Sequence, residues 1–313
     1  MPWLKGPKSG GYVIIDDRVR FKGGIRIDSY WDDEWFVDGI DGSNDNGGQS
    51  PATAKVTIQA ATTAASAGDT IYIRPKRYVV GTGHARYEEC VTVTLAQSDM
   101  TLIGAGYSRS NEFGVRMKCD GTTLYCFDIS GPSCHIENIG LFSASGTNTL
   151  LARNNGATNT QRGSDGIVLY RVNSKGSPLQ ITGGQAARVI DCVFNNAARE
   201  LLLATPTASG YNQQVLRCAF LDTGGGTAVT HEHVSATGAN IYSMWIDQCW
   251  FGKIPTTSAY YFVCGAAQST GMITNSYFNT TNLDTDTDIS IASSNIMLVG
   301  CYDKTGLVDA TDD

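Results

Sequence analysis

The sequence predicts an all-β chain wound as a parallel β-helix, with the strands of successive coils stacked into long sheets. Three observations predict it. Only 17% of the 313 residues are charged and 35 are glycine, against roughly 25% charged in an average soluble domain, and short Val/Ile/Leu runs alternate with Gly, Asn, Thr and Ser. A single stretch reads as helix. A six-residue pattern then returns eight times along the chain, which is the mark of a stacked repeat.

The helix is expected near the start. Ser50 supplies a cap and Pro51 suits the first turn. From Ala52 to Ser66 the spacing places Ile58, Ala61 and Ala65 on one face, and Gly68 closes the segment. Asp69-Thr-Ile-Tyr-Ile-Arg-Pro75 then predicts a strand with Ile71 and Ile73 inward, stopped by the proline. Glu89-Cys-Val-Thr-Val93 alternates in the same way.

The repeat fixes the rest. Val189-Ile-Asp-Cys-Val-Phe194, Val215-Leu-Arg-Cys-Ala-Phe220, Ile246-Asp-Gln-Cys-Trp-Phe251, Ile273-Thr-Asn-Ser-Tyr-Phe278 and Leu298-Val-Gly-Cys-Tyr-Asp303 share one frame. Weaker copies start at Leu102, Ile136 and Leu169. The first slot is aliphatic, the fourth small or aliphatic, and the sixth mostly Phe. In a flat strand, slots one and four would face opposite sides. Both read as buried, so a bend must separate them. The third slot holds Gly104, Asn138, Arg171, Asp191, Arg217, Gln248, Asn275 and Gly300; Gly and Asn are the residues most tolerant of the left-handed region. Each copy is therefore expected to be a strand, a one-residue left-handed corner and a second strand. Slots one, four and six point in; two and five point out. Coils of ~20–34 residues of this kind stack at ~4.8 Å.

Charge narrows the partners. Thirty acidic residues against 23 Lys and Arg give a net charge of −7, the wrong sign for a nucleic-acid partner. No stretch approaches the ~18 apolar residues of a membrane span. The opening residues lack a secretory apolar run, so folding in a cytosol is expected. Four of the nine cysteines, Cys192, Cys218, Cys249 and Cys301, share the inward fourth slot with Ser276. They read as packing residues, and free thiols are the expectation for all nine.

The outward slots carry an apolar stripe. Slot five runs Val193, Ala219, Trp250, Tyr277, Tyr302; slot two adds Ile190, Leu216 and Val299, interrupted by Asp247 and Thr274. Such a stripe on a solvent face marks an interface, or else a surface covered by the chain's own loops. The interface reading is self-association, most simply a homotrimer with roughly parallel coil axes. Residues 1–34 fall outside the repeat. Gly10-Gly-Tyr-Val-Ile-Ile-Asp-Asp17 and Arg18-Val-Arg-Phe-Lys22 form a hairpin or an extended arm, read either as a segment that docks on a larger assembly or as an ordered N-terminal cap. The expected organisation is an arm at 1–34, the coil at 35–303 and an acidic tail at 304–313.

The full pattern resembles the right-handed parallel β-helix, or pectin-lyase-like, superfamily. The entrance carries the resemblance: Val37-Asp-Gly-Ile-Asp-Gly-Ser-Asn-Asp-Asn-Gly-Gly48, Thr57-Ile-Gln-Ala-Ala61, Gly68-Asp-Thr-Ile-Tyr-Ile-Arg-Pro75 and Thr101-Leu-Ile-Gly-Ala-Gly106. The resemblance implies that the helix plugs one end of the coil and that Asp69-Thr70 leads into the first rung. Lys76 departs from it, standing where the family usually has Gly. Lyases, hydrolases, epimerases, adhesins and phage spikes share this fold, so chemistry must come from the residues.

Trp245-Ile-Asp-Gln248 is similar to the Trp-Ile-Asp-His stretch of pectate lyases, but the histidine is replaced, and the strand–corner–strand repeat itself accounts for the match. A glycoside hydrolase needs two carboxylates ~5–9.5 Å apart; Glu88, Glu89, Asp165, Asp222 and Glu232 pair only through folding that the sequence does not reveal. His231 and His233 fall on one side of an extended chain, as metal ligands must. Two histidines are too few for a one-chain site, and their place beside Gly224-Gly-Gly226 reads as a loop. No metal, cofactor or catalytic residue is therefore expected. Among β-helix proteins, the resemblance then implies a bacteriophage virion protein: a trimeric capsid decoration protein, fibre or tail spike. It would be assembled in the host cytoplasm and attached to other virion proteins through residues 1–34. Two alternatives stand beside this one. A spike that holds host polysaccharide would stack sugars on exposed aromatics such as Tyr260 and Tyr261. A depolymerase of tailspike type would carry acidic residues in a groove.

Overall fold

The computed structural model describes residues 11–15, 18–22, 33–76, 85–105, 114–119, 125–143, 149–153, 163–176, 178–182, 184–195, 199–203, 210–221, 231–236, 240–252, 259–264, 269–280, 283, 289–290 and 295–308. They fall into two units, 1–32 and 33–313. In the first, Gly11–Ile15 pairs antiparallel with Arg18–Lys22, the hairpin form of the arm.

The second unit is a parallel β-helix. One ten-stranded sheet runs from Glu34–Asp38 to Asn295–Val299, a second from Tyr87–Glu88 to Leu307–Val308, and a third, eight-stranded, from Val91–Val93 to Ile289–Ser290. In each, spatial order follows chain order, so every strand pairs with the coil before and the coil after. Glu34–Asp38 precedes Thr70–Arg74 in the first sheet, so the coil starts one strand earlier than Asp69-Thr70.

The corner between the first and second sheets is the single left-handed residue that the third slot demands. Asn138, Arg171, Asp191, Arg217, Gln248, Asn275 and Gly300 all have φ between 48° and 62°. Arg, Asp and Gln adopt it alongside Asn and Gly because the corner N–H still donates to the next coil, as Asp191 N does to Leu216 O at 3.0 Å. That bond, worth ~0.5–1.5 kcal/mol net, offsets part of a strain of about 1–2 kcal/mol. Gly104 is the exception. Its φ is not positive; instead, a Cβ there would lie 2.2 Å from Asn138 O, so glycine serves close approach.

A second column of left-handed residues was not legible in the sequence. Asp99, Ser133, Gly166, Ala186, Asn212 and Ser243 have φ of 53–64°; the first five stand two residues before a strand of the first sheet, and Ser243 directly before Met244–Asp247. They share only small size, which many loop residues have, and the variable loops before them hide the spacing.

Slots one, four and six are buried throughout the last five copies. Phe194, Phe220, Phe251 and Phe278 stack nearly parallel, with centroids 4.8, 5.0 and 4.7 Å apart. Beside them, Cys218 Sγ donates to Val189 O at 3.5 Å and Leu216 O at 3.4 Å, and its column neighbours do likewise. Each thiol thus satisfies its own hydrogen bonding inside the coil. The Cys192, Cys218, Cys249 and Cys301 thiols are free, but Cys90 and Cys119 form a disulfide, which corrects the free-thiol expectation for that pair. Cys90 follows Tyr87–Glu88, which pairs with the strand ending at Cys119, and no shared slot announces the two.

Both ends of the coil are sealed by side chains that accept backbone N–H groups. The helix spans Ile58–Ala64, shorter than expected. Pro51–Thr53 forms a separate turn, Ser50 makes no side-chain cap bond, and Thr57 is the true cap. Glu89 accepts from Ile58 N and Gln59 N at 3.0 and 2.9 Å, placing negative charge where four N–H groups lack partners. Asp69 accepts from Asp33 N, Ser66 N and Trp35 Nε1. At the far end, Asp303 takes the sixth slot under the phenylalanine stack and accepts from Leu283 N, Thr305 N, Thr305 Oγ1 and Gly306 N. Burial pushes this carboxyl up, but the hydrogen bonds from Thr305, Leu283 and Gly306 outweigh it and hold it below the usual range. A lowered carboxyl stabilises the fold above its unfolded value of about 3.9 and loses that contribution as pH falls through the folded value. Acid titration by NMR should therefore move the Thr305 and Gly306 amides with a midpoint below about 3.9; a higher midpoint would refute the cap.

Candidate interaction surface

The outward slots build two adjoining apolar columns. On the second sheet, Val193, Ala219, Trp250, Tyr277 and Tyr302 stand in register. The Trp250 and Tyr277 rings stack at 4.4 Å, and Leu307 adjoins Tyr302 on the returning strand. On the first sheet, Gln214, Trp245, Met272 and Met297 form one column, and Leu216, Asp247, Thr274 and Val299 the next. Ile190, Leu216, Val193 and Ala219 are half-buried, so the stripe narrows toward the middle of the coil.

Its exposed end is concentrated. Of ten exposed large hydrophobic residues among those described, seven lie between positions 245 and 307: Trp245, Trp250, Met272, Met297, Val299, Tyr302 and Leu307. They flank the corner formed by Gln248, Asn275 and Gly300. Sequence reasoning missed Trp245, Met272, Met297 and Leu307. The first three stand one residue before slot one, and the period-two alternation of a strand already turns them outward.

The indole is fixed in place. Trp245 Nε1 donates to Thr274 Oγ1 at 2.9 Å, and Thr274 Oγ1 donates to Asp247 Oδ1 at 2.6 Å. Asn275 Nδ2 donates to the same oxygen at 3.0 Å. Held this way, a large apolar ring loses little conformational freedom when it is covered.

The other candidates fare differently. Tyr261 is buried at 3% exposure, edge-on to Phe251 and Phe278; it is a core residue, which corrects its reading as a sugar platform. The Tyr260 side chain lies outside the described residues. His231 and His233 lie in the strand His231–Ala236 of the third sheet, not in a loop, and their side chains lie outside the described residues. Among the described residues, no group of three His, Cys, Asp or Glu can hold a metal ion. No helix there is long and apolar enough to cross a membrane.

Among the described residues, Asp38, Asp128 and Asp191 pair with arginines. Asp128 binds Arg153 through two hydrogen bonds at 2.9 and 2.6 Å, Arg217 Nε donates to Asp191 at 2.7 Å, and Asp38 pairs with Arg74. The Asp38 carboxyl, raised by burial, is brought below its usual range by the Ile40 and Asp41 N–H groups and Arg74. Asp38 and Asp303 thus move opposite to a catalytic acid. Burial pushes the Cys134 thiol up to about 12. It also raises Cys218, helped by contacts with Cys192 and Cys249, so these thiols stay protonated and are poor nucleophiles.

Comparison by sequence finds no matching family model and no matching curated protein. Comparison by structure decides the fold. The pectin methylesterase of Aspergillus niger superposes with a TM-score of 0.52 at 12% identity, over 90% of this chain and 92% of that one. The chain is a parallel β-helix. A Geobacillus virus E2 protein aligns with this β-helix at TM-score 0.49 and 13% identity, over 94% of this chain and 64% of that one. A pectate lyase aligns at 0.49 and 12%, over 89% and 78%. At these identities the likeness is one of fold.

Proposed function

We propose that this β-helix is a structural component of a bacteriophage particle, a decoration protein, fibre or spike that works as an assembly of identical copies. The observation that carries this reading is the concentration of exposed aromatic and thioether side chains on two faces at one end of the coil. Isolated surface apolar residues need no explanation, but a contiguous patch on an otherwise polar coil marks a contact surface. The engaged carboxylates support it, since Asp128, Asp191 and Asp38 are each tied to an arginine.

One observation favours a second reading. Trp245 lies 39% exposed beside the Asp247 network, and an indole next to a carboxylate suits a sugar ring. Such a site would hold host polysaccharide, or cleave it as a depolymerase does. Light scattering coupled to size exclusion separates the readings. Assembly predicts a multiple of the 33.5 kDa chain mass and no reducing ends or unsaturated product from host polysaccharide. A monomer that releases product would overturn it.

A further inference from the structure

We propose that copies of this chain meet by an unlike contact, the first-sheet flank of one copy (Trp245, Met272, Met297) against the second-sheet flank of the next (Trp250, Tyr277, Tyr302). Such contacts close into a ring of which the trimer is the smallest. The inference rests on the self-assembly reading above and specifies its geometry.

The corner dictates the shape of the contact. At Gln248, Asn275 and Gly300 the chain turns through one left-handed residue, with φ of 53°, 48° and 62°. The two flanks therefore leave a single convex edge on different faces of the coil. A two-fold dimer sets a patch against its own copy. It would cover one flank twice and leave the other in water. A wedge with two apolar flanks instead needs two neighbours, and a rotational ring provides them.

The flanks are also chemically unlike. The first carries two unbranched thioethers, Met272 and Met297, exposed by 41% and 56%. The second is a column of aromatic rings, two of them stacked at 4.4 Å. Methionine adapts to irregular surfaces and gains ~0.3–1.5 kcal/mol per sulfur–aromatic contact. Met272 and Met297 against the Trp250, Tyr277 and Tyr302 rings use that gain throughout the contact; the first flank against itself uses it only where a Met meets Trp245, and the second against itself not at all.

The area is sufficient. At ~150–250 Å² per large side chain, the exposed shares of the seven residues amount to roughly 700 Å². Each contact removes one flank from each of two copies, and so hides that amount once. With about 60–65% of a buried interface non-polar, the whole contact is ~1,100 Å², above the ~1,000 Å² that a specific interface requires.

The test uses the full-length chain and two surface variants, Met272→Asp on one flank and Trp250→Asp on the other. Both positions are exposed on outward strand faces, and circular dichroism checks that the coil is retained. Light scattering across a concentration series should give an oligomer of three or more copies for the wild type. Each variant alone should run at 33.5 kDa. Mixed in equal amounts, the variants should form a species of two chains, because each supplies the flank that the other lacks. A monomeric wild type would overturn the assembly reading itself. An oligomeric wild type whose variants stay monomeric when mixed would overturn only the unlike contact. If either variant loses its fold, Met297→Asp and Tyr302→Asp repeat the experiment on the same two flanks.

Discussion

Phe251→Ala should cost about 3–5 kcal/mol of stability, toward the upper end of what deleting a buried ring removes. Phe251 is fully buried in the middle of the phenylalanine stack, with Phe220 at 5.0 Å on one side and Phe278 at 4.7 Å on the other. Tyr261 stands edge-on to it at 6.3 Å. Cavities cost most where the surroundings cannot collapse, and here the backbone prevents collapse. Trp250 N donates to Cys218 O at 2.8 Å and Gly252 N to Phe220 O at 2.6 Å, so the neighbouring rings cannot slide along the coil axis. Urea unfolding monitored by circular dichroism should show the loss as a lowered midpoint. Phe251→Leu, which keeps most of the volume, should lose less than half as much. A loss of only ~1.5–3 kcal/mol for the alanine variant would mean that the stack contributes little beyond ordinary burial.

The second large effect separates two reasons for glycine in the same slot. Gly104→Ala drives a Cβ to 2.2 Å from Asn138 O and 3.0 Å from its carbonyl carbon. Both are backbone atoms held in a parallel ladder, so the strands must part, at a cost of about 3 kcal/mol or more. At Gly300 the φ is +62° and only Asn275 Oδ1 comes near, at 3.0 Å. Alanine there should cost only the ~1–2 kcal/mol of the left-handed conformation, and Asn less. Parallel thermal melts of Gly104→Ala, Gly300→Ala and Gly300→Asn read the order directly. An alanine at Gly300 that costs more than one at Gly104 would reverse the assignment.

Much of this architecture was readable from one hexad. The inward slots were legible because Val189, Cys192 and Phe194 break strand alternation in a way that only a corner repairs, and the corner dihedrals confirm that reading. Where two causes produce one residue type, the sequence misleads: Gly104 looks like a corner glycine and is a clearance glycine. The second left-handed column was hidden because Asp99, Ser133, Ala186 and Asn212 share only the small size common to loop residues, and the loops before them vary in length. Tyr261 illustrates a third failure. Two adjacent tyrosines suggest exposure, yet the edge of the phenylalanine stack leaves a space that a single ring fills. The exposed apolar stripe was half legible. The hexad drew attention to slots two and five, and the residues just before slot one, with the same outward parity, fell outside its frame.

The way each strand pairs only with the coil before and the coil after also sets how the molecule responds to force. Pulled from its ends, such a chain has no single shear plane. Load falls on one coil at a time, and the rest keeps its ladders intact. Each release frees ~20–34 residues, or on the order of 70–120 Å of slack at ~3.3–3.6 Å per residue. A rod built in this way yields by measured increments and absorbs work at every step, where a sandwich or barrel gives way at once.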